Sequence, residues 1–230
     1  MISYQSERYA LVNSLAIEHR RHLHRVRRFL DPQPHERLLE VGCSRGFLTR
    51  LVQQLAPDTR GIDLNTEAIA RGVTYGLAAM DAQRLAFDDE SFDKAFSFHC
   101  IEHVADLGAA LREMDRVLKP GGSLLLVYPA EPIRGLYVIP TAWMLFRNPL
   151  RARDLHLHRL SPRRLRPFLA GTSLETIESR IEFFLLPQFI TLLRKAGAPV
   201  SSWAQKGQAV SAGASAAHCP PIARRDAGIS

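Results

Sequence analysis

An apolar run breaks into a small-residue turn at Leu38-Leu39-Glu40-Val41-Gly42-Cys43-Ser44-Arg45-Gly46-Phe47-Leu48-Thr49, and about twenty residues after its first glycine stands Gly61-Ile62-Asp63-Leu64-Asn65. The first segment reads as a buried strand over 38–42, a tight turn and a helix over 47–55. Backbone N–H groups left unpaired at that helix start, with the positive end of its dipole, face whatever ligand sits in the turn. The second segment reads as a strand over 59–63, ending on a carboxylate able to accept both hydroxyls of a ribose. Together they point to a nucleotide-like cofactor.

The rest of the chain extends that beginning into a regular alternation. A helix is expected over 66–72, strands over 76–80 and 93–98, a helix over 104–118 and a strand over 123–128. Apolar strands alternating with amphipathic helices imply an α/β fold with a doubly wound, mainly parallel sheet. Leu107, Ala110, Leu111, Met114 and Val117 form the apolar stripe of the 104–118 helix, and Lys119-Pro120-Gly121-Gly122 stops it before a buried strand. Residues 1–34 read as an N-terminal basic amphipathic element, a helix over 6–30 ended by Asp31-Pro32-Gln33-Pro34. Residues 35–198 form the principal domain, with an insertion over about 131–160. Ser161-Pro162 opens a further helix, and a strand is expected near 174–184. From 199 to 230 the composition turns to Ala, Ser, Gly, Gln and Pro, that of a flexible tail. Within it, residues 217–225 are a candidate degraded last strand, since Pro220 and Pro221 cannot donate to a ladder.

Composition narrows the partners. With 46% hydrophobic and 23% charged residues over 230 positions, the chain is an ordinary globular one rather than a disordered one. No leader-like segment and no unbroken apolar run of about 20 residues stands out. Cys43, Cys100 and Cys219 have no metal-ligand spacing, as expected of a protein of the reducing cytoplasm. The net charge of +7 is uneven: residues 38–130 carry nine Lys/Arg against 13 Asp/Glu, whereas residues 131–198 carry eleven against five. Arg147, Arg151, Arg153, Arg159, Arg163, Arg164 and Arg166, with His156 and His158 on one face of a presumptive strand, fit an anionic substrate, an anionic membrane surface, nucleic acid or plain solvation.

Four blocks resemble the class I S-adenosylmethionine-dependent methyltransferases, of the small-molecule type related to the ubiquinone/menaquinone-biosynthesis enzymes. They are Leu39–Gly46, Gly61–Leu64, Met80–Asp93, and Ile101-Glu102-His103-Val104 followed by Leu118–Gly122, in the family's own order. The resemblance implies a seven-stranded Rossmann-like sheet and S-adenosyl-L-methionine as cofactor. It sets Glu40, Gly42, Cys43, Ser44 and Gly46 around the methionine part and gives Asp63 the ribose hydroxyls, with Leu64 beside them. Asp81 and the backbone of Ala82 would read the adenine, and Phe98 would flank the methyl donor. The family usually has glycine where this chain has Ser44.

The cofactor's carboxylate suits the turn's N–H groups, and its ammonium and sulfonium suit Glu40 or a nearby carbonyl, so an acidic cofactor domain is sensible. The acceptor would be a small molecule, amphipathic or anionic, with His99 as general base or as a wall residue. Glu102 and His103 alone are too few ligands for a metal, and none is expected. The apolar stretch 133–146, with Tyr137, Trp143 and Phe146, fits a substrate lid, a segment at a membrane interface or simple core packing.

Other classes are weaker. Gly42-Cys43-Ser44-Arg45-Gly46 also matches the nucleophile elbow of serine hydrolases, but no earlier strands precede it to build an oxyanion loop. Nucleic-acid binding lacks aromatics among the arginines and the Asn/Asp-Pro-Pro-Tyr/Phe signature. A non-catalytic cofactor-binding protein is the remaining alternative.

Overall fold

The computed structural model describes residues 16–130, 157–183 and 187–197, all within the unit Met1–Gly197. The N-terminal part of the 6–30 helix, the apolar stretch 133–146, Arg147, Arg151, Arg153, His156 and the 199–230 tail with its candidate strand lie outside the described residues.

Elements follow the sequence pattern closely: α1 (Ala16–Leu30), β1 (Leu38–Val41), α2 (Phe47–Val52), β2 (Thr59–Asp63), α3 (Thr66–Ala70), β3 (Leu77–Ala79) and β4 (Phe92–Phe98). After a 3-10 turn at Ile101–His103 come α4 (Leu107–Val117), β5 (Leu118–Pro129), α5 (Pro162–Leu165), β6 (Leu174–Glu182) and β7 (Gln188–Lys195). Capping explains the boundaries that differ from expectation. The Asp106 side chain accepts from Ala109 N at 2.9 Å, so α4 starts at 107 rather than 104. α2 tightens at its end, with Leu55 N donating to Val52 O at 2.8 Å, before Pro57 closes it off. β5 begins at Leu118, which pairs with Phe92, five residues earlier than expected. His158 is on no strand: its Nε2 lies 2.8 Å from Val104 O and its ring packs edge-on to Phe168.

The seven strands run in the order β3-β2-β1-β4-β5-β7-β6. β1 to β5 are parallel, and β7 is antiparallel to both β5 and β6. β7, which the sequence pattern did not single out, sits inside the sheet rather than at its edge. Lys195 Nζ donates at 2.8 Å to both Asp115 O and Leu118 O at the end of α4. A hydroxyl row crosses the three strands, Tyr128 to Thr191 at 2.9 Å and Thr191 to Ser179 at 2.9 Å. These bonds pin the antiparallel register.

Each face of the sheet has its own core. On one, α4 buries Leu107, Leu111, Met114 and Val117 completely against Leu39, Phe92, Leu124 and Leu126. Each such side chain contributes about 1.5–3 kcal/mol relative to exposure. On the other, Val26 and Leu30 of α1 join Leu48 and Val52 of α2 over Leu38, Phe96, Phe98, Leu125 and Ile190. α1 is also held by Arg25, which is 3% exposed and donates from Nε and Nη2 to Glu182 Oε2 at 3.1 and 2.8 Å.

Candidate active site

The carboxyl ends of β1, β2, β3 and β4 converge, because parallel strands in register end on one side of the sheet. Gly42 and Cys43 both donate their N–H to Ile62 O, at 2.8 and 2.9 Å, which carries the turn along the end of β2. Gly42 has φ 86°, and a Cβ there would collide with the Cys100 side chain after β4. Gly46 has φ 78°, and a Cβ there would meet Leu77 Cδ1 at 2.7 Å. Glycine is thus required twice, for backbone conformation and for close approach. Ser44 also lies in the left-handed region, at φ 50°. This is the position where glycine is the expected residue, and an L side chain there costs about 1–2 kcal/mol.

Asp63 explains how the strained turn persists. Its Oδ2 accepts from Ser44 N at 2.7 Å and its Oδ1 from Asn65 N at 2.8 Å. Burial raises its pKa, and the two backbone donors partly offset that. Each oxygen keeps a second lone pair for an incoming hydroxyl. Met80 N donates to Asp63 O at 2.9 Å, bringing the end of β3 alongside. The Asp81 carboxylate there accepts from Gln83 N at 2.9 Å and from Gln83 Nε2 at 3.0 Å. Gln83 Oε1 in turn accepts from Asp106 N at 2.8 Å, so one side chain ties Asp81 to the start of α4. Leu64 is 64% exposed beside Asp63, whereas Ala82 is buried.

Deeper in, Glu40 is buried and accepts a short hydrogen bond from the Thr49 hydroxyl of α2. Burial pushes its carboxyl up to about 8, against the lowering effect of the Thr49 bond, and Asp63 adds to the rise. The Cys43 and Cys100 thiols are unpaired, and burial drives both pKa values well above the ordinary range, so neither is a thiolate nucleophile.

β4 delivers Phe98 and His99. Phe98 is buried, and His99 stands in the left-handed region at φ 52° with its N–H on Val127 O at 2.9 Å. His99 Nδ1 is 3.6 Å from Glu102 Oε1, longer than a hydrogen bond and close enough for an ion pair once the ring is protonated. Glu102 is 1% exposed. From α1, His19 lies 5.4 Å from the Phe47 ring and His22 stacks on Phe98.

All ten candidate cofactor residues and His99 therefore stand on the end of the sheet where β1 to β4 finish. Thr49, Gln83 and His22 escaped the sequence reading. Gln83 and Thr49 sit near the motifs and carried a weak signal as polar side chains in otherwise apolar surroundings; His22 carried none. Among the described residues no histidine hydrogen-bonds the Ser44 hydroxyl.

Residues 39–126 match the family model described as methyltransferase domain. The matched segment runs from β1 into β5. The ubiquinone biosynthesis O-methyltransferase of Rhizobium etli (strain CIAT 652) is 29% identical over 168 residues, covering 67% of this chain and 66% of that protein. The ubiquinone/menaquinone biosynthesis C-methyltransferase UbiE of Caulobacter sp. (strain K31) is 35% identical over 121 residues, covering 45% of this chain and 48% of that protein. The chain thus spans just under two thirds of the one relative and about half of the other. Among solved structures, an S-adenosylmethionine-dependent methyltransferase from Mesorhizobium loti superposes with a TM-score of 0.53 at 17% identity, over 69% of this chain and 90% of that one. The [4+2]-cyclase SpnF superposes with a TM-score of 0.62 at 18% identity, over 77% and 81%. These likenesses concern the fold, which plainly carries more than one chemistry.

The residues suit S-adenosylmethionine on this structure's own terms. Gly42 and Gly46 let the turn's backbone approach the Cys100 and Leu77 side chains where a Cβ would collide, the Met80 N–H on Asp63 O sets the end of β3 next to Asp63, and Glu40 is a buried carboxyl that a cation could ionise.

Proposed function

We propose that this protein transfers a methyl group from S-adenosylmethionine to a small molecule, amphipathic or anionic, with a hydroxyl as the attacking group and His99 as its proton acceptor. The observation that carries the reading is Asp63 tied at once to the Ser44 turn and to the Met80–Asp81 segment, which gathers acceptors for a ribose and an adenine beside the glycine turn.

In this reading Glu40, Gly42, Cys43, Ser44 and Gly46 border the methionine part, Asp63 takes the ribose hydroxyls with Leu64 beside them, and Asp81 and the backbone of Ala82 read the adenine. The sulfonium supplies an already activated methyl group, so the chain's work is alignment and exclusion of water. Phe98 walls the donor. His99 receives the acceptor's proton, and the nearby Glu102 carboxylate steadies the imidazolium. The unpaired thiols Cys43 and Cys100 support a reducing compartment such as the cytoplasm. No helix among the described residues is long and apolar enough to cross a membrane. The outward residues Arg20, His24, Arg27 and Arg28 of α1 support peripheral contact with an anionic surface, where an amphipathic acceptor would reside.

Calorimetric titration of S-adenosylmethionine into the chain and into Asp63→Ala, followed by labelling of fractionated cell extract with methyl-labelled cofactor, tests the proposal. Saturable binding that Asp63→Ala weakens, with label entering a small-molecule fraction, is expected. Absence of binding by the unaltered chain overturns it.

A further inference from the structure

α1 carries a second imidazole to the place where methyl transfer would occur. His22 is only 8% exposed. Its ring lies 4.3 Å from Phe98, nearly parallel at 23°, and 5.8 Å from the His99 ring at 36°. His22 therefore stacks on the residue that walls the donor and stands next to the residue placed as proton acceptor.

The ring nitrogens of His22 make no hydrogen bond to any described residue, and they are not among the polar atoms sealed from solvent. A mostly buried imidazole is ordinarily satisfied by protein, because an unpaired buried polar group is destabilising. If stacking on Phe98 were its only role, a phenyl ring would serve better. Burial, and then the charges of His99 and Arg25, lower its pKa well below the ordinary value, so the ring is neutral and presents one donor and one acceptor. Helix α1 is itself fixed rather than hinged at this point, by the buried Arg25 on Glu182 and by Val26 and Leu30 in the core.

We infer that His22 binds the methyl acceptor directly, its N–H donating a hydrogen bond to the attacking oxygen beside His99. This rests on the proposed methyl transfer. The acceptor hydroxyl gives its proton to His99, and its oxygen forms a bond to the methyl carbon. The sulfur–carbon bond breaks with its electron pair left on sulfur, which becomes a neutral thioether. His22 neither gains nor loses a proton; it holds the oxygen in line while the charge redistributes. The acceptor class this selects is a hydroxyl compound whose oxygen becomes more basic as it is deprotonated, such as a phenol or an enol. A carbon nucleophile would leave the His22 donor unmatched.

The test uses the full chain saturated with S-adenosylhomocysteine and 4-nitrophenol as probe, whose absorbance separates phenol from phenolate. Two variants split the two roles of the ring. His22→Phe keeps an aromatic stack on Phe98 and removes the donor, and His22→Gln removes the stack and keeps an N–H. Binding of the probe is expected to weaken about tenfold in His22→Phe, the loss of one hydrogen bond, and to recover within about threefold in His22→Gln. Affinity for S-adenosylhomocysteine should stay unchanged in both. Normal probe binding by His22→Phe, equal loss in both variants, or no probe binding by the unaltered complex overturns the inference. Failure of the unaltered chain to bind S-adenosylhomocysteine at all overturns instead the methyl-transfer reading on which it stands.

Discussion

The backbone N–H of Ser44 lies 2.7 Å from Asp63 Oδ2, so the carboxylate that ends β2 holds the turn that ends β1. Asn65 N occupies the other oxygen. A residue whose place at a strand end suggests ligand binding therefore also braces its neighbour's strained backbone.

That double duty makes Asp63→Ala costly even without cofactor. Two backbone donors lose charged acceptors, and the loss is expected to be about 2 kcal/mol by urea denaturation of the unliganded chain. Ser44→Gly, which keeps the bond and relieves the left-handed side chain, should stay within about 1 kcal/mol of the starting protein. An Asp63→Ala variant as stable as the unaltered chain would show that the carboxylate serves ligand alone.

Glu40 sets a pH dependence of known sign. Its folded pKa of about 8 lies above its ordinary 4.5, so its stabilising contribution is present in full below about 4.5 and is lost as pH rises through 8. Thermal unfolding followed across that window should show the decline, and Glu40→Gln should flatten it. A cationic cofactor favours the ionised form, so binding near pH 7 should release up to one proton in the unaltered chain and none in Glu40→Gln. Calorimetry in two buffers of different ionisation enthalpy reads that number.

His22 has the opposite sign. Its folded pKa is depressed, so its contribution is present above the ordinary 6.5 and is lost as pH falls through the folded value. His22→Phe should therefore unfold less readily on acidification below about 6.5 than the unaltered chain, as measured by the midpoint temperature at pH 5.5 and 7.5.

Arg25 and Glu182 join α1 to the end of β6, with the arginine side chain 4% exposed and the glutamate 31%. Removing the acid leaves a buried cation without its partner, whereas removing the cation leaves an acid that reaches water. Glu182→Ala is expected to destabilise by about 3 kcal/mol and Arg25→Met by clearly less, read by chemical denaturation. Equal effects from the two would mean that burial of the arginine is not what the pair sustains.

The exposed face of α1 offers a test of surface binding. Reversing Arg20, Arg27 and Arg28 to glutamate should abolish cosedimentation with phosphatidylglycerol vesicles at low salt, and about 0.5 M salt should do the same to the unaltered chain. Cosedimentation that neither change reduces would argue against an electrostatic contact.

Much of this protein is set by local pattern. The strand-turn-helix at 38–49, Asp63 at the end of β2 and the stripe of α4 all follow from spacing, because period and turn chemistry act over a few residues. These features carry the alternation of β1 to β5 along the chain, whereas Asp81, Ala82 and Phe98 were implied by the family resemblance.

Only the tertiary structure decided the remainder. Nothing local says that the segment after Pro187 enters between β5 and β6 antiparallel as β7; the bonds from Lys195 to the end of α4 and the Tyr128–Thr191–Ser179 row decide it. The tie from Asp63 to Ser44 spans nineteen residues, and the stack of His22 on Phe98 joins the first helix to the fourth strand. Such partners are chosen by which faces must be buried against each other, and that choice exists only once the sheet has formed.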